Sequence, residues 1–202
     1  MSSVIMKIVL VMVVVGCLVV PQVLGGTPIT HSKGLQIKNK GADRLLVEMT
    51  GEDRFALPAG QVASLLLNDT WNGTIYAQPD WCKADICDGA PHTTAVIQFG
   101  GVKGTIDRYY VSLENGFNIP MRIQPTETNS FCKTSSCLVN IKEKCPEELQ
   151  ILDENETTVA CRHDVDVFRN HCPHVVITKE DPEHSNAITC TTSNTYVVIM
   201  DE

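Results

Sequence analysis

The chain has 202 residues, 16 Lys and Arg against 24 Asp and Glu, a net charge of −8 and nine cysteines. An acidic chain without a basic run lacks the attraction on which binding to nucleic acid or an anionic membrane rests, so those partners are excluded. Neutral polymers, cations and basic partners stay open.

The first segment, "MSSVIMKIVLVMVVVGCLVVPQVLGG", has one lysine, an apolar run, Pro21 and then small residues. This is the anatomy of a secretory signal peptide over 1–26, cleaved after Gly25 or Gly26. The run approaches membrane-spanning length, so a retained anchor is the alternative; Pro21 and the Val-Leu-Gly ending favour cleavage. No other segment is apolar enough to span a bilayer. Residues 27–202 are the right size for one domain. Cys17 leaves with the signal, and eight cysteines remain: Cys82, Cys87, Cys132, Cys137, Cys145, Cys161, Cys172 and Cys190. An even count in an exported chain reads as a disulfide framework, with roughly a hundred pairings open to eight cysteines. The expected location is extracellular.

Beyond the signal, short alternating or β-branched runs follow one another: "GLQIKN", "RLLVEM", "VASLLL", "TIYAQ", "TTAVIQF", "TIDRYYVSL", "MRIQP" and "TYVVIM". Turn clusters such as "PAGQ", "NDTWNG", "GGVKG" and "ENG" separate them. This rhythm predicts an all-β sandwich or barrel. Helix is expected only in "CLVNIKEKCPEELQIL". Asn68, Asn72 and Asn155 each open an Asn-x-Thr glycosylation sequon, which belongs on a surface loop. In "VSLENGFNIPMRIQP", Asn115-Gly116 between alternating runs predicts a chain reversal. Pro120 cannot donate to a ladder, so its strand is expected at an edge or with a bulge. Thr27 to Trp81 contains no cysteine, whereas six fall between Cys132 and Cys190. The first part must be held by core burial; a stapled, loop-rich lobe over 131–190 is inserted before the last strand.

Eight segments in register carry a resemblance. "RYYVSLENGFNIPMRIQP" resembles the "DFYDVSL-DGFN-PM--P" signature of the thaumatin-like family. "LPAGQ", "WNGTIYAQPDWC", "KADICDG", "PHTTAVIQF", "CKTSSCLVNIKEKCPEELQ", "KEDPEHSNAITC" and "TYVVIM" are similar to successive family segments. The match runs from about Leu35 to Met200. It implies an antiparallel β-sandwich with a reduced disulfide-rich lobe. It also implies the pairs Cys132–Cys190, Cys137–Cys172 and Cys145–Cys161, leaving Cys82 to pair with Cys87. Where the family joins its termini by a disulfide, this chain has Gly41 and Asp201, so both partners are absent together.

The resemblance also implies a cleft between sandwich and lobe, lined with charges in the antifungal plant members. Position by position, the family's arginine is Thr74 here, its glutamate Val96, and two of its aspartates Tyr110 and Asn115; Glu180 and Asp181 survive. Glycoside cleavage needs two carboxyl groups flanking the bond. This pattern therefore points to a secreted, monomeric, defence-type protein that binds cell-wall β-glucan or another polysaccharide without efficient catalysis. The alternatives are a weak β-1,3-glucanase using Glu180, Asp181 and Glu114, and an inhibitor that binds a target hydrolase. Tyr76, Gln78, Trp81, and one of Tyr109 and Tyr110, bring aromatic and amide groups to the cleft; alternation allows only one of those two tyrosines to face it. Asp107, Glu114, Asp85 and Asp88 read as solvated charges. No cofactor is implied. Nor is a metal: in His171-Cys172-Pro173-His174 the cysteine is committed, and His163 and His184 supply no spaced third ligand.

Overall fold

The computed structural model describes residues 32–101, 105–127, 129, 132–181 and 188–201. The signal segment 1–26 and His184 lie outside the described residues. Every alternating run is a strand: β1 (Ser32–Asn39), β2 (Leu45–Met49), β4 (Val62–Asn68), β5 (Asn72–Pro79), β6 (Thr94–Gln98), β7 (Asp107–Ser112), β8 (Met121–Pro125) and β13 (Thr195–Met200). Short strands complete the set: β3 (Phe55–Leu57), β9 (Ser135–Cys137), β10 (Gln150–Leu152), β11 (Thr158–Cys161) and β12 (Ile188–Cys190). They form a five-stranded sheet in the order β4-β1-β13-β8-β9 and a six-stranded sheet in the order β12-β7-β6-β5-β2-β3, with β10-β11 as a separate hairpin. Among the described residues the named strands all pair antiparallel except β1 with β13, which run parallel.

Alternation decides the packing, because successive side chains point to opposite faces. Leu35, Ile37, Ile123, Tyr196 and Val198 of the five-stranded sheet meet Val47, Ile75, Ile97, Tyr109 and Val111 of the six-stranded sheet in one core, all fully buried. Each such side chain contributes about 1.5–3 kcal/mol. That burial holds the cysteine-free part of the chain.

One buried ion pair ties the sheets together. Lys33 Nζ lies 2.6 Å from both oxygens of Asp107, which also accept from Tyr196 Oη at 2.6 Å and from the Gly100 N–H at 2.8 Å. Asp107 is therefore not the solvated charge expected from its place in the sequence. It shares the inward parity of Tyr109 and Val111, and three donors compensate its burial.

The lobe is held differently. Four bridges are present: Cys82–Cys87, Cys132–Cys190, Cys137–Cys172 and Cys145–Cys161. The second closes the longest loop and contributes about 4 kcal/mol in the chain-entropy description. The expected helix in "CLVNIKEKCPEELQIL" is two 3-10 turns, Ile141–Lys144 and Glu147–Leu149. Cys145 and Pro146 interrupt it, the latter because proline excludes the residue before it from helical geometry. Helix forms instead at α1 (Ala84–Cys87) and α2 (Val165–His171). Asp164 caps α2 by accepting from the Val167 N–H, and Phe168 anchors it in the core.

Two further details bear on the expectations. Pro120 precedes β8, and β8 lies between β13 and β9, so the strand is not an edge; the Pro120 carbonyl accepts from the Asp201 N–H. Gly41 and Asp201 are neighbours, since a Cβ on Gly41 would sit 2.9 Å from Asp201 Cβ.

Candidate functional site

The outward face of the six-stranded sheet positions most of the residues singled out for the cleft. Thr74 is in register with Val96, and Val96 with Tyr110, so the three form one row across β5, β6 and β7. That row carries no charge. Tyr110 is half-buried, and burial, then the nearby Glu114 carboxylate, push its ionisation up. Tyr109 faces the core, where its hydroxyl donates to the Lys133 carbonyl. Trp81 stands apart from the row, half-exposed, with Nε1 donating to Asp43 Oδ2 at 2.9 Å.

The other residues of this region go separate ways. Glu114 Oε2 accepts from Ser112 Oγ at 3.0 Å, Asn115 is exposed at the corner, and Glu180 is exposed in the lobe. Asp181 is 6% exposed. One of its oxygens accepts from Arg169 at 2.6 Å, the other from the N–H groups of Ile177 and Thr178 at 2.7 and 3.0 Å. Burial alone would raise its pKa; the Arg169 hydrogen bond and the two backbone donors outweigh that and hold it at about 2. Asp181 thus organises the lobe. A carboxylate that ionised is a poor proton donor near neutrality.

Tyr76 and Gln78 open onto a depression of about 420 Å³ beside the row, lined also by Glu48, Arg54, Asp88, Gly89 and His92. Pairing of β2 with β5 sets Glu48 opposite Tyr76. Glu48 Oε2 accepts from Tyr76 Oη at 2.6 Å, and Oε1 from Arg54 at 2.5 Å. Burial, then the bond to Glu48, push the Tyr76 phenol up to about 12. Arg54 reaches on to Asp88, presented by the Cys82–Cys87 loop, at 3.1 Å. The far wall is His92, stacked on Tyr76 with ring centroids 4.1 Å apart. A carbonyl only accepts, so the contact of His92 Nδ1 with Ala90 O at 2.9 Å puts the proton on Nδ1 and leaves Nε2 as an acceptor in the neutral ring.

Gln78 is the most telling residue of the depression. It is 6% exposed, and among the described residues its side-chain amide has no hydrogen-bond partner. The amide reaches the depression, where water can satisfy it, and a ligand offering both a donor and an acceptor can take that water's place. The lining is rich in acceptors (two carboxylates, an amide oxygen, a ring nitrogen), while Arg54 offsets much of its negative charge. Several hydroxyl groups on one ligand match that set better than a cation.

The corner at Asn115-Gly116 is a support for this site. The His92 N–H donates to the Asn115 carbonyl at 3.1 Å. Gly116 has φ +94°, and a Cβ there would lie 2.5 Å from Pro91 Cβ and 2.6 Å from the Cys161 carbonyl oxygen. Only glycine lets the chain reverse between the loop that carries His92 and the lobe strand β11.

Glu48, Arg54 and His92 escaped sequence reasoning. The alternation of "RLLVEM" put Glu48 on the outward face, but its register with Tyr76 spans 28 residues and is not legible locally. Among the described residues no three His, Cys, Asp or Glu side chains gather as a metal site. His163 Nδ1 instead contacts the Leu113 carbonyl at 3.0 Å. Asn68, Asn72 and Asn155 are all exposed.

The family model for the Thaumatin family matches residues 37–169. A "Glucan endo-1,3-beta-glucosidase" from Prunus avium is 45% identical over 111 residues, covering 45% of each chain. "Pathogenesis-related thaumatin-like protein 3.5" from Cryptomeria japonica is 28% identical over 128 residues, covering 55% of this chain and 52% of its own. "Thaumatin-like protein 1b" from Malus domestica is 37% identical over 79 residues, 38% of this chain and 37% of its own. The matched region spans between about a third and about half of these relatives. Among solved structures, the protein elicitor MoHrip2 from Magnaporthe oryzae has a TM-score of 0.47 at 11% identity, covering 84% of this chain and 99% of its own. The thaumatin-like xylanase inhibitor TLXI has a TM-score of 0.45 at 15% identity, covering 83% and 99%.

Proposed function

The chain belongs to the thaumatin family, and on that premise we propose that it is an extracellular, defence-type protein that binds a neutral polysaccharide without hydrolysing it. The observation that carries this reading is the uncharged Thr74–Val96–Tyr110 row beside a depression onto which the Gln78 amide opens with no hydrogen-bond partner among the described residues. Hydrolysis needs a proton donor on one side of the glycosidic bond and an ionised partner on the other. Val96 and Tyr110 are neither, and Asp181 is taken up by Arg169 and two backbone donors. Binding needs only stacking and hydrogen bonds, which Tyr76, His92, Gln78, Glu48 and Asp88 supply. β-1,3-Glucan is the first candidate ligand, because a relative 45% identical over 111 residues carries the name of a glucan endo-1,3-beta-glucosidase.

The test pairs sedimentation with insoluble β-1,3-glucan, chitin and cellulose with an assay for reducing sugar released from soluble β-1,3-glucan between mild acid and neutrality. The expected result is retention on a neutral glucan, weakened at least about tenfold in Gln78→Leu, a loss of one to two polar contacts, with no sugar released. Turnover by the unmodified protein, abolished in Glu180→Gln, would establish the glucanase reading instead. Absence of retention on every polymer would sink the binding reading.

A further inference from the structure

Asn68 lies at the end of β4, an edge strand of the five-stranded sheet. Its carboxamide oxygen accepts from both the N–H of Thr70 at 2.9 Å and the hydroxyl of Thr70 at 2.6 Å. Both bonds span two residues, so the conformation is open to the chain before it folds. They draw the sequon hydroxyl onto the carboxamide and leave Nδ2 without a partner among the described residues. The other two sequons are organised otherwise. Asn72 is within β5, and the Thr74 hydroxyl lies 3.2 Å from that of Thr50. At Asn155 the turn is built on Asp153, whose Oδ1 takes the N–H groups of both Asn155 and Thr157.

The surface beside Asn68 lacks cover. Val62, Ser64, Leu66 and Asn68 share the outward face of β4; Leu66 is 77% exposed and Val62 47%. Leu66 pairs in register with Gly34, which has no side chain to lay over it. An exposed apolar face on an unpaired edge strand templates association with another chain unless something bulky or charged blocks it. An attached glycan is bulky and hydrophilic.

We propose that Asn68 is the N-glycosylated sequon of this protein, that Asn72 and Asn155 stay bare, and that the glycan covers Leu66 and blunts the β4 edge. The donor is an oligosaccharide carried on a lipid pyrophosphate in the secretory lumen. Asn68 Nδ2 forms a bond to the anomeric carbon, the bond from that carbon to the phosphate oxygen breaks, Nδ2 gives up one proton, and the lipid pyrophosphate leaves. A bare Asn72 suits the sheet face, since Asn72 is in register with Gln98 one row from Thr74–Val96–Tyr110; a glycan there would stand over the binding surface.

The experiment uses the full chain expressed in a eukaryotic secretory host. Peptides are mapped with and without an amidase that releases the N-glycans and turns each modified asparagine into aspartate, and only amidase-dependent conversion counts, because Asn72-Gly73 deamidates spontaneously. Conversion at position 68 and not at 72 or 155 is expected. Recovery of unconverted Asn68, conversion at either other sequon, or a chain retained unmodified in the cell overturns the assignment. The second arm needs no variant to fold: secreted protein is stripped enzymatically after folding and compared with the intact form by light scattering. Stripped protein should aggregate several-fold faster, and stripped Leu66→Ser no faster than the intact form. Equal rates for stripped and intact protein overturn the covering role.

Discussion

Two cation–carboxylate–tyrosine groupings occupy opposite faces of the six-stranded sheet. On the inner face Lys33, Asp107 and Tyr196 meet with Lys33 3% exposed and Asp107 fully buried. On the outer face Arg54, Glu48 and Tyr76 make the same set of contacts, but the Arg54 and Glu48 side chains keep 39% and 31% of their surface in solvent. The chemistry is alike and the consequences differ. The inner carboxylate has its donors around it and no route to a ligand, and it pushes the Tyr196 phenol, already raised by burial, far above the usual tyrosine range. The outer carboxylate has spare lone pairs facing the depression. Burial, and not residue type, separates the group that holds the sheets together from the group that can recognise something.

The largest test of that separation is Asp107→Ala against Glu48→Ala. Removing Asp107 strands a buried ammonium, a phenol and a backbone N–H, and should cost about 3–5 kcal/mol of unfolding free energy. Removing Glu48 breaks exposed contacts and should cost no more than about 1 kcal/mol. Denaturant titration of the two variants reads both numbers. Glu48→Ala should also weaken glucan retention while lowering Tm by no more than about 4 °C. Equal losses of stability would mean that the two groupings are equivalent after all.

A smaller effect is expected at the corner, where backbone geometry replaces charge. Gly116 is buried, with φ +94° and less than 3 Å of room for a Cβ. Two residues earlier, Glu114 is half-exposed, and among the described residues its hydrogen bonds go to Ser112 alone. Gly116→Val should cost about 1–3 kcal/mol from strain alone and displace His92, so that retention falls with stability. Glu114→Gln should stay within about 0.5 kcal/mol. Thermal melts of secreted protein compare them directly, and indistinguishable melts would remove the corner from the architecture of the site.

The sequence showed the strands because a half-buried strand writes its burial into a period of two residues. The same rule put Tyr109 and Tyr110 on opposite faces but left open which of them faces the core. It did not disclose which strands pair. The contact between Lys33 and Asp107 crosses 74 residues and that between Arg54 and Asp88 crosses 34, and no local pattern specifies such register. Asp107 in particular reads as a polar strand end until Lys33 is brought to it. The short α2 escaped because seven residues give barely two turns of periodicity, although the Asp164 cap was in plain view. In the lobe, bridges fix the chain where alternation is too brief to say anything.

Asp181 lies in the lobe and puts the comparison to its finest test, because motif position makes it a cleft acid while burial makes it part of the scaffold. Its pKa falls from 3.8 to about 2 on folding. The folded state therefore binds this proton less tightly than the unfolded state. The stabilisation it provides is fully present above the unfolded value and is lost as pH falls through the folded one. Wild-type Tm should exceed that of Asp181→Asn at about pH 5, and the gap should close between about pH 4 and pH 2. Because the gap isolates one carboxylate from the others titrating in the same range, it is the difference between the two proteins, and not either melt alone, that carries the information. A gap that stays constant to pH 2 would mean that the carboxylate charge is not what Arg169 and the Ile177 and Thr178 amides hold. Asp181 would then return to the pool of acids available for catalysis, and the outer face would no longer be the only part of this region open to a ligand.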